Sequence, residues 1–174
     1  DPLWSRGLGD VYKRQVLGET IDDAVGEAYD KVARWLGLGY PGGPVVDKMS
    51  REGTANALAL PKSMTGAGLD FSFSGLKTAV VRATEKRSDV PLADVAASFQ
   101  AAVSEQLLRK LRQAMTSYDV RGIALAGGVA ANSALRSGVT AMAVEFGIAA
   151  HLPSMAMCTD NAAMIAAAGH YRLQ

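Results

Sequence analysis

The residues of this chain that could carry chemistry fall into three short segments. The first is Ala126-Gly-Gly-Val-Ala-Ala-Asn132, in which two glycines follow a short apolar run. A strand that leads through paired glycines into a helix lets the backbone approach a phosphate closely, and the helix N-terminus offers unpaired N–H groups. Asn132 can add a side-chain amide to such a site. The same pattern is equally typical of a plain strand-to-helix connection, so both interpretations stay open.

The second segment is Cys158-Thr-Asp-Asn-Ala162. The carboxylate of Asp160 and the amide of Asn161 stand at the start of a predicted helix, where they can ligate a cation or cap the helix. No His or second Cys lies at ligand spacing from Cys158, so its side chain is expected to be a small buried apolar group. His151 and His170 have no partner spacing that predicts a metal site either.

The third segment is Asp70-Phe-Ser-Phe-Ser-Gly-Leu-Lys77. Its Ser74-x-x-Lys77 pattern, together with Thr159-Asp160-Asn161, imitates two motifs of the penicillin-recognising enzymes. Those enzymes also need a separate Lys-Thr-Gly strand, and the only Lys-Thr pair here is Lys77-Thr78, inside the first motif. A serine hydrolase is therefore a remote alternative.

A helix is predicted from Ile21 to Leu36. Its apolar residues recur at helical spacing and form one stripe, which consists of Ile21, Ala24, Val25, Ala28, Val32, Trp35 and Leu36. Thr20 and Asp23 are predicted to form a capping box, and Gly37 to end the helix. Asp30 lies opposite the stripe, so it points away from the core side of this helix.

The remaining pattern predicts an α/β chain. Helices are expected at 45–51, from the segment 71–77 to about 85, from 89–91 to 118, at 131–146 and at 160–171, and short buried strands at 123–126 and 148–152. Strand, helix, strand and helix in that order favour a parallel α/β arrangement. Two strands are too few for a complete sheet, so the predicted architecture is helix-rich and incomplete.

Composition sets limits on the partners of the chain. It has 174 residues, is 49% hydrophobic and 20% charged, and carries 18 Lys and Arg against 17 Asp and Glu. Because phosphate contacts usually leave a basic surplus, an RNA partner must be held by a local patch, by a missing part or by another subunit. The single cysteine, the lack of a long apolar run and the lack of a secretory signal predict a cytoplasmic protein without a membrane span.

Residues 1–15 form a separate unit in this interpretation. They show neither helical nor strand periodicity, and the chain begins with Asp1. The stretch is similar to a sequencing adapter read in frame, so residues 1–15 are predicted to be an adapter-derived or disordered extension. A natural flexible arm is the alternative. Residues 16–174 are assigned to the folded lobe.

Five segments of residues 16–174 resemble one family in their order and spacing. They are Leu17–Lys31, Gly39–Pro44, Asp70–Thr78, Gly127–Asn132 and Cys158–Asn161. The family is the tRNA N6-adenosine threonylcarbamoyltransferases, formerly labelled O-sialoglycoprotein endopeptidases. The resemblance implies an actin-like, Hsp70-like ATPase fold (ribonuclease H-like) in which a nucleotide lies between two lobes. This chain would be most of the C-terminal lobe of the transferase.

The resemblance also implies an activity and its residues. The family transfers a threonylcarbamoyl group from threonylcarbamoyl-AMP to N6 of the adenosine next to the anticodon, in tRNAs that read codons starting with A. Asp30 and Asp47 would hydrogen-bond the nucleotide sugar, Gly43 would allow a close backbone approach, and Asn132 would contact the nucleotide. Asp160 would ligate one divalent metal ion, with iron preferred and zinc as the alternative.

The resemblance implies further partners, and the sequence also departs from the family. The partners are tRNA, the missing N-terminal lobe, a paralogous subunit and a small ATPase. The His-x-x-x-His motif of the first lobe is absent, and one carboxylate cannot hold a catalytic metal. We therefore expect the isolated chain to be inactive and to fold poorly. A non-catalytic nucleotide-binding partner module of the same superfamily is the alternative, although such modules typically lack the Cys-Thr-Asp-Asn segment.

Overall fold

The computed structural model describes residues 15–66, 68–87 and 89–173. Within these ranges the chain forms six α-helices and two short strands. In chain order they are α1 (Val25–Trp35), α2 (Gly42–Ser50), α3 (Ser74–Lys86), α4 (Leu92–Ser117), β1 (Gly122–Ala124), α5 (Ser133–Phe146), β2 (Ala149–His151) and α6 (Ala162–Leu173). The adapter-like segment falls almost wholly outside the described residues.

The two strands form the predicted parallel pair. Gly122 pairs with Ala149 and Ala124 pairs with His151, and α5 is the connection between the strands. Parallel strands need such a crossover because the chain must return to the same end of the sheet. The α/β order predicted for this half of the chain is confirmed, and α5 ends at Gly147 as expected.

The long helix α4 links two apolar cores. Its N-terminal half packs with α1, α2 and α3, where Phe99 and Val103 are at most 1% exposed. Its C-terminal half packs against α5 and the strands, in a second cluster that contains Met115, Ile123 and Val139. With 26 residues, α4 is about 39 Å long. It therefore serves as the common support of both halves.

The predicted start of α1 was wrong. The helix begins at Val25, four residues after Ile21, whose side chain is 63% exposed. The segment before it stays extended because Phe71 donates its backbone N–H to Glu19 and accepts one from Ile21. A contact between distant parts of the chain thus replaces the first helical turn. Thr20 forms no capping box; its hydroxyl donates to the Asp23 carbonyl, 2.8 Å away.

Asp22, which lies outside α1, caps α3 from across the fold. Its carboxylate accepts hydrogen bonds from the hydroxyls of Ser72 and Ser74 at 2.6 and 2.7 Å, and from the backbone N–H of Phe73 at 2.8 Å. Partial burial opposes ionisation, but these bonds outweigh it and hold the pKa of Asp22 below its usual value. Because Ser74 bonds to Asp22, it is tied into this structural cap, which speaks against the serine hydrolase alternative.

Replacement of Asp22 by alanine should lower the free energy of unfolding by about 1–2 kcal/mol at neutral pH, since α3 loses its cap. The folded pKa is depressed, so this contribution is full above the unfolded pKa of about 3.9 and disappears as the pH falls through the folded value. Urea unfolding of the unsubstituted and Asp22→Ala forms, each within a protein that carries both lobes, at about pH 7 and about pH 2 measures it. Equal stability at neutral pH would contradict the capping role.

Among the described residues, no helix combines the length and the apolar character that a membrane crossing requires.

Candidate functional site

The turn between β1 and α5 lies at the centre of the candidate site. It begins at Gly127, whose φ of +75° is a conformation that favours glycine. A single 3-10 turn over Gly128–Ala131 follows. Gly127 and Gly128 are exposed, so this part of the backbone faces solvent. The paired glycines thus form an accessible turn at the C-terminal end of a strand, as the sequence predicted.

Asn132 follows this turn and is 8% exposed. Its Oδ1 accepts the backbone N–H of Leu135 at 2.9 Å and so caps α5. Its amide nitrogen donates one hydrogen to the hydroxyl of Tyr29 at 3.2 Å and the other to Oε1 of Gln100 at 2.8 Å. Both amide hydrogens are therefore engaged within the protein. The nucleotide contact expected of Asn132 stays a prediction.

Asp47 approaches the same helix end from α2 and is also 8% exposed. One carboxylate oxygen accepts both the backbone N–H and the hydroxyl of Ser133, at 2.9 and 2.7 Å. The other accepts the Arg51 guanidinium at 2.7 Å. Burial opposes the charge, but the hydrogen bonds from Ser133 and Arg51 outweigh it and lower the pKa of Asp47. Asp47 is therefore ionised at neutral pH.

This arrangement changes where an anion could bind. The positive end of the α5 dipole is already occupied by the Asp47 carboxylate, and the Asn132 side chain satisfies a further N–H of the first turn. A phosphate at the first turn of α5 would be repelled by Asp47. The exposed backbone at Gly127 and Gly128 is the part of this segment that remains open to a phosphate.

Asp30 joins α1 to the start of α2. Its Oδ1 accepts the backbone N–H of Gly42 at 2.7 Å, so it satisfies a free N–H of the first turn of α2. A Cβ atom at Gly42 would lie 2.6 Å from the carbonyl oxygen of Tyr29, whereas Gly43 has open space around its Cα. Gly42 is thus the residue that lets the two helices touch. Gly43, predicted to face the nucleotide, has room beside it.

The four predicted nucleotide residues are linked through the packing of α1, α2 and α5. Tyr29, the neighbour of Asp30, is 3% exposed and bonds to Asn132. Burial, and then the negative charge of Asp47, raise the pKa of Tyr29 well above its usual value. An open depression next to this junction is lined by Asp30, Arg34, Gly37, Gly39 and Tyr40. Of the four predicted nucleotide residues, Asp30 is the one that borders this depression.

Sequence reasoning missed several members of this cluster. Tyr29, Ser50, Gln100 and Ser133 all hydrogen-bond to one another or to Asp47 and Asn132. The available signal was Gln100, a polar residue between the apolar positions Phe99 and Val103 of a long helix. A buried amide at such a position must find partners, which points to a polar cluster opposite it.

Asp160 makes no direct contact with this cluster among the described residues, but its segment is linked to the Gly-Gly turn. The Arg136 guanidinium donates to the Ala130 carbonyl at 2.8 Å and lies 3.9 Å from the sulfur of Cys158, two residues before Asp160. Asn161 is the residue that caps α6, since its Oδ1 accepts the backbone N–H of Met164 at 3.0 Å. Asp160 is exposed and accepts no hydrogen bond from the described residues. Within the same ranges, no three His, Cys, Asp or Glu side chains are grouped to hold a metal ion. The described residues therefore do not complete a site of this kind around Asp160.

Cys158 is buried, as the sequence predicted, with 2% of its surface exposed. Its thiol donates to the Ser154 carbonyl at 3.4 Å, and the Arg136 guanidinium lies 3.9 Å from its sulfur. The thiol therefore packs as a small side chain under the 3-10 turn before α6.

A family model described as tRNA N6-adenosine threonylcarbamoyltransferase matches residues 4–167. The chain therefore belongs to the tRNA N6-adenosine threonylcarbamoyltransferase family.

Curated relatives of that name support this membership. The Symbiobacterium thermophilum relative is 52% identical over 174 aligned positions, which cover 98% of this chain and 50% of the relative. The Moorella thermoacetica relative is 51% identical, with 95% and 50% covered, and the Thermosipho africanus relative is 52% identical, with 90% and 48% covered. This chain thus spans about half the length of the curated relatives it matches.

Proposed function

We propose that this chain is the C-terminal lobe of an enzyme that transfers a threonylcarbamoyl group from threonylcarbamoyl-AMP to N6 of the adenosine next to the tRNA anticodon. The observation that carries the proposal is the meeting of Asp30, Gly43, Asp47 and Asn132 at one junction of α1, α2 and the Gly-Gly turn. Family membership and the shared name of the relatives support the same reaction.

The proposed lobe belongs to the actin-like, ribonuclease H-like ATPase fold. A pair of three-residue parallel strands is an unusually small sheet, because parallel sheets are normally larger and covered on both faces. We propose that further strands, from the part of the relatives that this chain does not span, extend the sheet. The N-terminal lobe would then cover the open side of the nucleotide junction.

The proposed nucleotide roles follow from the chemistry of the junction. Asp47 is ionised and accepts three hydrogen bonds, so one of its roughly four acceptor sites remains for a sugar hydroxyl. Asp30 borders the open depression and retains a second carboxylate oxygen for another hydroxyl. Asn132 would act by holding the Gly-Gly turn in place.

The proposed metal role of Asp160 rests on its exposure and its free carboxylate. It would supply one ligand of an iron ion, or of zinc, and the other ligands would come from outside the described residues. The proposed partners are tRNA, the N-terminal lobe, a paralogous subunit and a small ATPase, in the cytoplasm. With a formal net charge of +1, this chain contributes little general attraction for RNA.

A joined protein tests the proposal. Residues 16–174 are fused to the N-terminal half of the Symbiobacterium thermophilum relative, and AMP binding and threonylcarbamoyl transfer to tRNA are measured with the partner subunits present. We expect transfer by the joined protein and none by the 174-residue chain alone. Binding of AMP without transfer would favour the non-catalytic partner module instead.

Within that joined protein, Asp160→Ala should reduce transfer at least about a hundredfold, because the metal loses a ligand. Asn161→Ala is the matched control: it removes the cap of α6 next to the same site, costs about 1 kcal/mol of helix stability and should leave transfer largely intact. Undiminished transfer by Asp160→Ala would overturn the ligand assignment, and equal loss in both variants would assign the effect to α6 folding.

A further inference from the structure

Gln100 is a buried amide in the apolar part of α4, with 6% of its surface exposed. Its Oε1 accepts the Asn132 amide at 2.8 Å, and its Nε2 donates to the Ser50 hydroxyl at 2.8 Å. One side chain therefore connects the end of α2 with the start of α5. The oxygen and the nitrogen of the Gln100 amide are both hydrogen-bonded, in the one orientation of the amide that satisfies Asn132 and Ser50 together.

These bonds close a ring through the candidate nucleotide site. The Ser50 hydroxyl donates onward to the Asp47 carbonyl at 2.9 Å, and the Asp47 carboxylate accepts the N–H of Ser133 at 2.9 Å. Ser133 is the chain neighbour of Asn132, whose amide returns to Gln100. Asp47 and the Gly-Gly turn are thus held together twice, once through Ser133 and once through Gln100.

We propose that Gln100 is a positioning residue for the nucleotide site, which sets the separation of Asp47 from the Gly127–Asn132 turn. The inference rests on the proposed nucleotide-binding function. The position requires a side chain that accepts and donates at the same time. A carboxylate can only accept, and an apolar side chain of similar size can do neither.

The substitution Gln100→Glu tests this requirement because the new side chain titrates. While the introduced carboxyl group is protonated, it has an acceptor oxygen and one O–H donor, and it reproduces the pattern of the amide. Once that group is ionised, it leaves Ser50 without its donor and adds a negative charge to a ring that already contains Asp47.

The charged and titratable neighbours of the ring are Tyr29 on α1, Asp47 on α2, Arg51 beyond α2 and Arg136 on α5. The pKa of Tyr29 is raised and that of Asp47 is lowered, and arginine stays protonated. Between about pH 5 and about pH 8, the introduced carboxyl is therefore the group of this ring expected to change its charge.

The measurement is the Kd for AMP of the joined protein and of its Gln100→Glu variant at several pH values, taken as a ratio so that titration of the phosphate cancels. We expect the variant to bind about tenfold more weakly at about pH 8 and to approach the unsubstituted protein at about pH 5. Gln100→Leu should bind about tenfold more weakly at every pH. Exchange of the backbone amide hydrogens of Ser133 and Leu135 should become faster under the same conditions in which AMP binding weakens.

Gln106→Glu is the matched control, since Gln106 is buried in the same helix but donates to the Ser72 carbonyl, away from the ring. It should show no pH-dependent ratio for AMP. A constant ratio near one for Gln100→Glu, with AMP bound normally by the unsubstituted protein, overturns the positioning role alone. Failure of the unsubstituted joined protein to bind AMP overturns the proposed function and this role with it.

Discussion

Replacement of Asp47 by alanine is expected to lower the free energy of unfolding by about 2–4 kcal/mol and to abolish measurable AMP binding by the joined protein. The carboxylate is buried and accepts three hydrogen bonds, so its removal leaves the N–H and hydroxyl of Ser133 without their acceptor. Its partner Arg51 is 65% exposed and regains water, so the loss falls mainly on the start of α5.

The stabilisation contributed by Asp47 should decrease as the pH falls. The folded pKa of Asp47 is depressed, so its contribution is complete above the unfolded pKa of about 3.9 and is lost as the pH falls through the lower folded value. Urea unfolding at several pH values should therefore show the difference between the two proteins shrinking in acid. Asp119→Ala, which alters an exposed carboxylate, should change stability little. An equal effect of both substitutions would contradict the role of Asp47.

A methyl group at Gly42 should separate α2 from α1. In Gly42→Ala the new Cβ would lie 2.6 Å from the Tyr29 carbonyl oxygen and 2.8 Å from Cβ of Ala33, and both atoms belong to a packed helix. Such overpacking costs about 1–3 kcal/mol or more, because backbone must move. The hydrogen bond from the Gly42 N–H to the Asp30 carboxylate would lengthen as the backbone moves. We expect Gly42→Ala both to lower the free energy of unfolding measured in urea and to weaken AMP binding.

Gly43→Ala provides the comparison within the same helix. No atom lies within 4 Å of the position of its Cβ, so the substitution should leave the stability unchanged or raise it by up to about 1 kcal/mol. If Gly43 faces the nucleotide, this variant should lose AMP affinity while keeping its stability. Equal losses of stability in the two variants would contradict the packing role assigned to Gly42.

Local patterns in the sequence determined most of the helices. The predicted end of α3 at Glu85 lies one residue before the end in the structure, and the predicted end of α4 at Tyr118 lies one residue beyond it. Apolar spacing, a proline near the start of α4 and a glycine after α5 are short-range signals that act within a few residues. The parallel strand pair also followed from the order of the elements, because parallel pairing requires a crossover.

The sequence also indicated which residues belong to the candidate site, through the motifs that resemble the family. Asn132 lies far along the chain from Asp30, Gly43 and Asp47, and the structure brings their segments to one junction. Their nucleotide roles and the metal role of Asp160 stay predictions. No local pattern revealed that Asp47 and Asn132 both bind the N-terminal turn of α5.

Only the tertiary structure decided the features that depend on distant partners. Thr20 and Asp23 match a helix start in the sequence, yet Phe71 holds the preceding segment extended and Asp22 caps α3. Gln100 interrupts an apolar stripe in the sequence, and only the fold shows Asn132 and Ser50 opposite it. The spacing of apolar residues indicates only which face of a helix or strand is buried. The partner of a buried polar group depends on which other elements pack there, and that information is spread over the whole chain.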